Sequence, residues 1–392
     1  MLMPLSVREE PKRYAPVRNL MLYLTEECNL RCTYCFVKKE PRYMTRETAL
    51  RTVDWVLQRN VSGGLNDLSI TFFGGEPFLA VERMQELVDY AQLSRTNVDK
   101  VFRFAATTNG TLANGRVEKV IRQASMDLLV SIDGGAQASR LRPMVSGRES
   151  HSLVAKNLPK LASWARNCSA RLTFTPDNLD LVGAVRDVLA IAAVGVVLAP
   201  VIEIDWSGHE EALERAYQEL GDWFLEEFAQ GRRPPLEVTW ELLRVYIGHL
   251  KCQRRPNKPC PLGTSLLAVD SQGNVLPCHR FLHQAKDRLG QVQAEDLPAE
   301  RWRYVHLKTL EIPDCAGCEA RTVCGGGCRA VALQAGYGLE GIHPNHCLLL
   351  RAHVRMVERI YQTLSADQRF WDVLYQTQTG SELLLELASL GS

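Results

Sequence analysis

An alternation of segment types constrains this chain more than any other feature. Short apolar runs rich in β-branched and aromatic residues lie at 20–24, 68–73, 101–107, 128–132, 172–175 and 196–204. Between most of them the apolar period is helical: Ala49, Val53, Val56 and Leu57 share one face, and so do Val81, Met84, Leu87, Val88 and Ala91. Strands alternating with amphipathic helices give parallel βαβ units, because a parallel pair needs a crossover and a helix supplies it. Six strands within 19–230 fit an open or partial barrel; a closed eight-stranded barrel needs more chain. Glycine- and polar-rich segments follow the strands at 25–35, 74–77, 108–110, 133–135 and 175–178. Loops at the C-terminal strand ends build the site in barrels of this type, so five loops are expected to face one cavity.

Charge and hydropathy exclude several function classes. The net charge is +1 and no basic run is interleaved with aromatics, so neither nucleic acid nor an anionic membrane is an expected partner. Residues 1–14 lack the apolar core of a signal peptide. The most apolar stretch, 189–204, contains Gly195 and Pro200 and is short for a membrane span; a buried helix followed by a buried strand is expected there. A cytoplasmic location follows as the expectation. There are 12 cysteines, most of them in tight clusters, and without an export signal metal or redox use is favoured over structural bridges.

The first cluster is Cys28-Asn-Leu-Arg-Cys32-Thr-Tyr-Cys35, a C-x3-C-x2-C spacing directly after the first expected strand. Three thiolates can hold three corners of a cubane 4Fe–4S cluster, leaving the fourth iron open to the amino and carboxylate groups of a small molecule. Zinc is the competing reading, but structural zinc takes four ligands and no fourth Cys or His lies nearby. The second array runs Cys260-x12-Gly273-x4-Cys278, then Cys315-x2-Cys318-x5-Cys324-x3-Cys328, and later Cys347. This segment is poor in apolar periodicity, and a small unit with little core needs staples that metal groups can provide. A pair of zinc ribbons is the alternative on spacing alone.

Together these motifs resemble the radical S-adenosylmethionine superfamily over residues 19–230 and its SPASM extension over 260–347. The resemblance implies an α/β fold: a partial (β/α)6 TIM-like barrel after an N-terminal extension (1–18), a linker (231–259), a small cysteine-rich SPASM domain and C-terminal helices (348–392). It implies S-adenosyl-L-methionine and a 4Fe–4S cluster on Cys28, Cys32 and Cys35, with two auxiliary 4Fe–4S clusters beyond. Gly74, Gly75, Glu76 and Pro77 resemble the loop that holds the methionine amino group, and Asn109 in the next loop is grouped with them as cofactor-binding. Ser131 and Asp133 resemble positions at the ribose and cavity; Arg171 resembles an arginine near the methionine carboxylate, which a guanidinium suits through two parallel hydrogen bonds. Tyr34 and Phe36 are expected to give apolar cover, with the Phe36 backbone near adenine. The implied partition puts Cys315, Cys318, Cys324 and Cys347 on one auxiliary cluster. It puts Cys260, Cys278 and Cys328 on the other, with an open position or Cys252 as the fourth. Cys168 reads as a buried core thiol in a helix-like segment before the fifth strand.

The resemblance implies a maturase of a peptide or protein substrate. One reading is modification of a ribosomally made peptide, with thioether formation as the candidate bond; the other is an anaerobic sulfatase-maturating enzyme making formylglycine. The latter carries an aspartate after the cysteine matching Cys278, where this chain has His279 in Pro277-Cys278-His279-Arg280-Phe281. His279 is therefore the candidate catalytic acid or base, with hydrogen bonding to cluster sulfur as its alternative role. About 18 residues precede the first strand, so a separate leader-recognition protein is expected, together with an external electron donor of flavodoxin or ferredoxin type. An iron–sulfur electron carrier or scaffold is the reading from a different class.

Overall fold

The computed structural model describes residues 17–63, 67–95, 101–252, 260–293, 304 and 315–376. All six expected strands form: β1 (Asn19–Thr25), β2 (Asp67–Gly74), β3 (Val101–Thr108), β4 (Asp127–Ser131), β5 (Asn167–Phe174) and β6 (Gly195–Pro200). They pair in parallel in the order β6-β5-β4-β3-β2-β1. The crossovers are α1 (Arg46–Gly63), α2 (Val81–Arg95), α3 (Gly115–Ala124), α4 (His151–Trp164) and α5 (Leu181–Ile191). This is the partial (β/α)6 barrel. The strands are buried mainly over their later residues, where helices cover one face and the barrel interior the other; β1, NLMLYLT, is buried from its second residue on.

Local chemistry sets the helix ends. Asn114 caps α3, its side chain accepting from the backbone N–H groups of Arg116 and Val117, and Ser125 closes it in the left-handed region at φ 45°. Between them Val117, Val120, Ile121 and Ala124 form the buried stripe that fixes the helix on the sheet. The faces expected on α1 and α2 are buried as read. Cys168 differs from expectation: it lies within β5, opposite Leu128, and is half-buried, because the strand begins earlier than its apolar run.

The sheet does not stop at β1. A seventh strand, β7 (Leu266–Val269), pairs in parallel with the free edge of β1, and β8 (Asn274–Leu276) and β9 (Gly290–Gln291) follow antiparallel. The hairpin between β7 and β8 turns on Asp270, whose carboxylate accepts from the N–H groups of Gln272 and Asn274 at 2.9 Å each, and on Gly273 at φ 83°. The cysteine-rich segment is thus grafted onto the barrel edge beside the first cysteine loop.

Three longer helices close the far side. The expected polar helix is α6 (Glu210–Ala229), whose inner face buries Leu213, Tyr217, Leu220, Trp223 and Phe224. The stretch read as a linker carries α7 (Glu237–Cys252). Cys252, proposed as a further ligand, is its last residue, and its side chain lies outside the described residues. A short helix, α8 (Arg329–Gln334), precedes α9 (Pro344–Leu364) and α10 (Gln368–Gln376). Helix α9 packs on α6 and α7, with Arg355 paired to Glu214 at 2.9 Å and Thr239 against His353 at 3.0 Å. At its start Asn345 donates to the carbonyls of Ile202 and Ile204 at 2.9 and 2.7 Å, tying this end to the loop after β6. The rest of the expected helical tail, 377–392, lies outside the described residues. No helix among the described residues is long and apolar enough to cross a membrane.

Candidate active site

The loops after the strands converge on one open cavity of about 860 Å³, its mouth included. Cys28, Cys32 and Cys35 line it together. Cys28 is buried, Cys32 is half-buried and Cys35 is exposed. Their sulfurs sit among N–H donors: Leu30 N–H and the Asn109 amide reach Cys28 Sγ at 3.4 and 3.6 Å, and Lys39 Nζ reaches Cys35 Sγ at 2.7 Å. Burial pushes the Cys28 and Cys32 thiols up, so the thiolates need a bound cation to hold them. Three sulfurs lining one cavity, two of them hydrogen-bonded and two of them with thiol pKa values raised by burial, suit an iron–sulfur group.

The loop is held by contacts the sequence reading did not foresee. Tyr34, between the second and third cysteines, points its hydroxyl inward: it donates to Asp133 Oδ2 at 2.6 Å and accepts from Arg142 Nη1 at 2.9 Å. The other Asp133 oxygen accepts from the Thr173 N–H at 3.1 Å. Asp133 and Arg142 are buried, and burial pushes the Asp133 carboxyl up despite the guanidinium. Asp133 therefore stands behind the cavity wall as the anchor of Tyr34. Tyr34 is a tether as well as a lining residue.

The glycine pair has a packing reason. A Cβ on Gly74 would sit 2.2 Å from the carbonyl oxygen of Thr25, and one on Gly75 would sit 1.9 Å from that of Glu27. The N–H groups of Gly75 and Glu76 donate to those same carbonyls at 3.0 and 2.9 Å. The second loop is thus clamped on the first, and both glycines reach the cavity. Glu76 and Pro77 do not. Glu76 is fully buried and accepts from Phe78 N–H, the Thr108 hydroxyl and Asn109 N–H at 3.1, 2.8 and 2.7 Å. Burial raises its carboxyl to about 7. It is a strut between the second and third loops, and Pro77 starts the turn that follows.

Asn109, Ser131, Arg171 and Phe36 line the cavity, as does Arg142, which sequence reading missed. Burial lowers Arg171 to about 10, with Arg280 nearby adding to the effect. Phe36 stacks on Phe73 at 6.3 Å and carries the Arg280 guanidinium over its ring at 4.7 Å. Arg280 also pairs with Glu203, the sole carboxylate among the lining residues. The missed groups carry no motif: Arg142, Glu203 and Arg280 come from three separated segments, and only the fold brings them together.

His279 does not line this cavity. Its ring packs 4.9 Å from Phe73 and 5.8 Å from Phe36, 2% exposed, and burial beside Arg280 holds its pKa well below the usual histidine range. An imidazole packed against two phenyl rings, away from the cavity lining, speaks against acid–base work by His279.

The second cysteine array forms two groups. Cys315, Cys318, Cys324 and Cys347 line a single smaller cavity with Gly326 and Arg321. Gly326 N–H donates to Cys324 Sγ at 3.3 Å, and Arg351 hydrogen-bonds Cys318. Cys260, Cys278 and Cys328 act on one another electrostatically, and burial pushes Cys260 to about 11 and Cys278 higher. Cys278 and Cys328 also act electrostatically on Arg280, which lines the main cavity. Among the described residues no three His, Cys, Asp or Glu side chains converge to hold one metal ion.

Comparison with known proteins agrees with this architecture. The profile of the radical SAM superfamily matches residues 22–180. The chain is 31% identical over 149 residues to the uncharacterized protein MJ0907 of Methanocaldococcus jannaschii, spanning 38% of this chain and half of that protein (50%). It is 22% identical to the radical SAM cyclopropyl synthase TigE of Paramaledivibacter caminithermalis, over 90% of this chain and 78% of that one. It is 24% identical to a cysteine-type anaerobic sulfatase-maturating enzyme of Clostridium perfringens, over 80% and 89% respectively. Among solved structures, native anSMEcpe with bound AdoMet and Cp18Cys peptide superposes with a TM-score of 0.68 at 19% identity, over 92% of this chain and 100% of that one.

Proposed function

We propose that the chain, which matches the radical SAM superfamily over residues 22–180, uses S-adenosylmethionine and a 4Fe–4S cluster to modify a ribosomally made peptide, joining a cysteine sulfur to carbon as a thioether. One observation carries the reading. A single cavity is lined by Cys28, Cys32 and Cys35 and by Arg280, and Arg280 feels the charge of Cys278 and Cys328 from the second cysteine group. When bound, the cofactor pair supplies a 5′-deoxyadenosyl radical that takes a hydrogen atom from a substrate carbon.

The chain's own residues bind, orient and exclude water. Cys28, Cys32 and Cys35 would hold the cluster, with Asn109 and Lys39 already donating to the Cys28 and Cys35 sulfurs. Tyr34, pinned by Asp133 and Arg142, fixes the loop that carries them. Gly74, Gly75, Asn109, Ser131 and Arg171 line the same cavity and would receive the methionine and ribose ends, the Arg171 guanidinium being suited to the carboxylate. Phe36 and Phe73 keep water from the reacting carbon. Glu203, on the cavity wall, would take the proton that leaves the substrate thiol, and the group that Cys260, Cys278 and Cys328 would hold would supply the acceptor for the one electron released as the sulfur–carbon bond closes. The reading includes two auxiliary clusters on the groups described above, and Cys252 as a candidate further ligand. It also includes an external flavodoxin- or ferredoxin-type electron donor, a separate leader-recognition protein, and a reducing cytoplasmic setting.

Formylglycine formation is the second reading, favoured by the extended similarity to the sulfatase-maturating enzyme. Two assays decide. Anaerobically reconstituted protein with dithionite and S-adenosylmethionine should form 5′-deoxyadenosine; none above background leaves an electron carrier or scaffold. Mass spectrometry of a cysteine-rich peptide encoded beside the gene, after co-expression, should show loss of two hydrogen atoms per thioether, whereas an aldehyde reactive to hydrazide assigns the second reading.

A further inference from the structure

Arg329 opens α8 directly after Cys328 and is 1% exposed. An arginine this deeply buried is normally neutralised by a carboxylate, because an isolated charge in a low-dielectric interior is strongly unfavourable. Among the described residues none is paired with it. Nη1 donates to the carbonyls of Leu339 and Gly341 at 3.0 and 3.3 Å, and Nη2, although buried, has no partner. The groups acting on its charge are Cys260 on one side, Cys324 and Cys315 on the other, and Glu340. Its own backbone N–H hydrogen-bonds Cys260. Arg329 thus follows Cys328 in the chain, bonds Cys260 through its backbone and feels charge from both thiol groups, with one buried guanidinium nitrogen unused.

We propose that Arg329 is a positioning residue shared by the two C-terminal cysteine groups: its fixed charge neutralises the iron–sulfur groups they hold and raises the potential at which those groups take up an electron. This rests on the reading that both groups carry clusters. Cysteine-ligated cubanes are net anionic and become more so on reduction, so a buried cation favours the reduced form. Loss of the charge makes reduction harder, and a lysine at the same place restores it even though it cannot keep both carbonyl bonds.

The test is an anaerobic redox titration of the reconstituted full chain followed by electron paramagnetic resonance, reading the signals that persist when Cys28, Cys32 and Cys35 are replaced by alanine. Arg329→Gln should hold as much iron as the wild type, but its reduced fraction at a fixed poise should fall about tenfold, a 59 mV drop for a one-electron couple. Arg329→Lys should titrate like the wild type. An Arg329→Gln protein with full iron and an unmoved midpoint overturns the proposal. So does Arg329→Lys with full iron and a lowered midpoint, because hydrogen bonding and not charge then sets the potential. If Arg329→Gln loses iron, the lysine variant decides: wild-type iron and midpoint support the charge role, and loss in both reduces Arg329 to a fold-holding residue. A wild type with only about four irons per chain removes the underlying reading, and this proposal with it.

Discussion

Replacing Tyr34 with phenylalanine removes one oxygen atom from a buried network and should be costly. The hydroxyl donates to Asp133 Oδ2 at 2.6 Å and accepts from Arg142 at 2.9 Å, while the direct Arg142–Asp133 separation is 3.8 Å, too long for a hydrogen bond. Without it a carboxylate oxygen that is fully buried and a guanidinium N–H that is nearly so are both left unmade. A hydrogen bond to a charged group contributes about 1.5–3 kcal/mol, so two come to about 3–6 kcal/mol. Arg142 can close part of the 3.8 Å gap, which lowers the expected loss to about 2–4 kcal/mol. Urea unfolding of the iron-free protein under anaerobic, reducing conditions measures it. A double-mutant cycle with Asp133→Asn should give a coupling of about 1–3 kcal/mol. A Tyr34→Phe protein within about 0.5 kcal/mol of wild type, or additive with Asp133→Asn, would refute the tether.

Other expectations follow from the same geometry. Glu76 has its carboxyl raised from 4.5 to about 7 by burial, so the folded state holds that proton more tightly than the unfolded state. The stability this lends is full below about pH 4.5 and is lost as pH rises through about 7; Glu76→Gln should flatten that slope in thermal melts of the iron-free protein, and an unchanged slope assigns it elsewhere. Cys32→Ala should abolish S-adenosylmethionine cleavage, whereas Cys318→Ala should spare some cleavage but lose product; equal losses in both assays indicate collapse of the fold. His279→Gln should cost much less than the about 100-fold that removing a general acid or base brings, while Glu203→Gln should approach it. Full loss in the histidine variant with iron intact contradicts the reading of a neutral, packed ring.

Much of the barrel was legible because βαβ units write themselves locally. Most strands contain a short apolar run and the crossover helices a stripe such as Val81, Met84, Leu87, Val88 and Ala91, and both signals survive without knowledge of the neighbours. The cysteine walls were legible for the same reason, since spacing within one loop sets which sulfurs share a cavity. What the sequence hid is long-range. The four-residue β7 is too short to show a period, and only the exposed edge of β1 makes it a strand. Helix α7 lies between two proline-bearing stretches that mask it. Arg142 meets Tyr34 across 108 positions, and Glu203 meets Arg280 across 77. Glu76 sits in a recognisable motif, yet its burial as a strut depends on Thr108 and Asn109 from the neighbouring strand.

The spectrum of the reduced, anaerobically reconstituted chain, recorded before and after S-adenosylmethionine is added, bears most directly on the cysteine wall formed by Cys28, Cys32 and Cys35. The account predicts a cubane signal that changes when the sulfonium ligand is added, and that is missing from Cys32→Ala. Zinc bound at those three residues, or a cubane signal indifferent to S-adenosylmethionine, would contradict it.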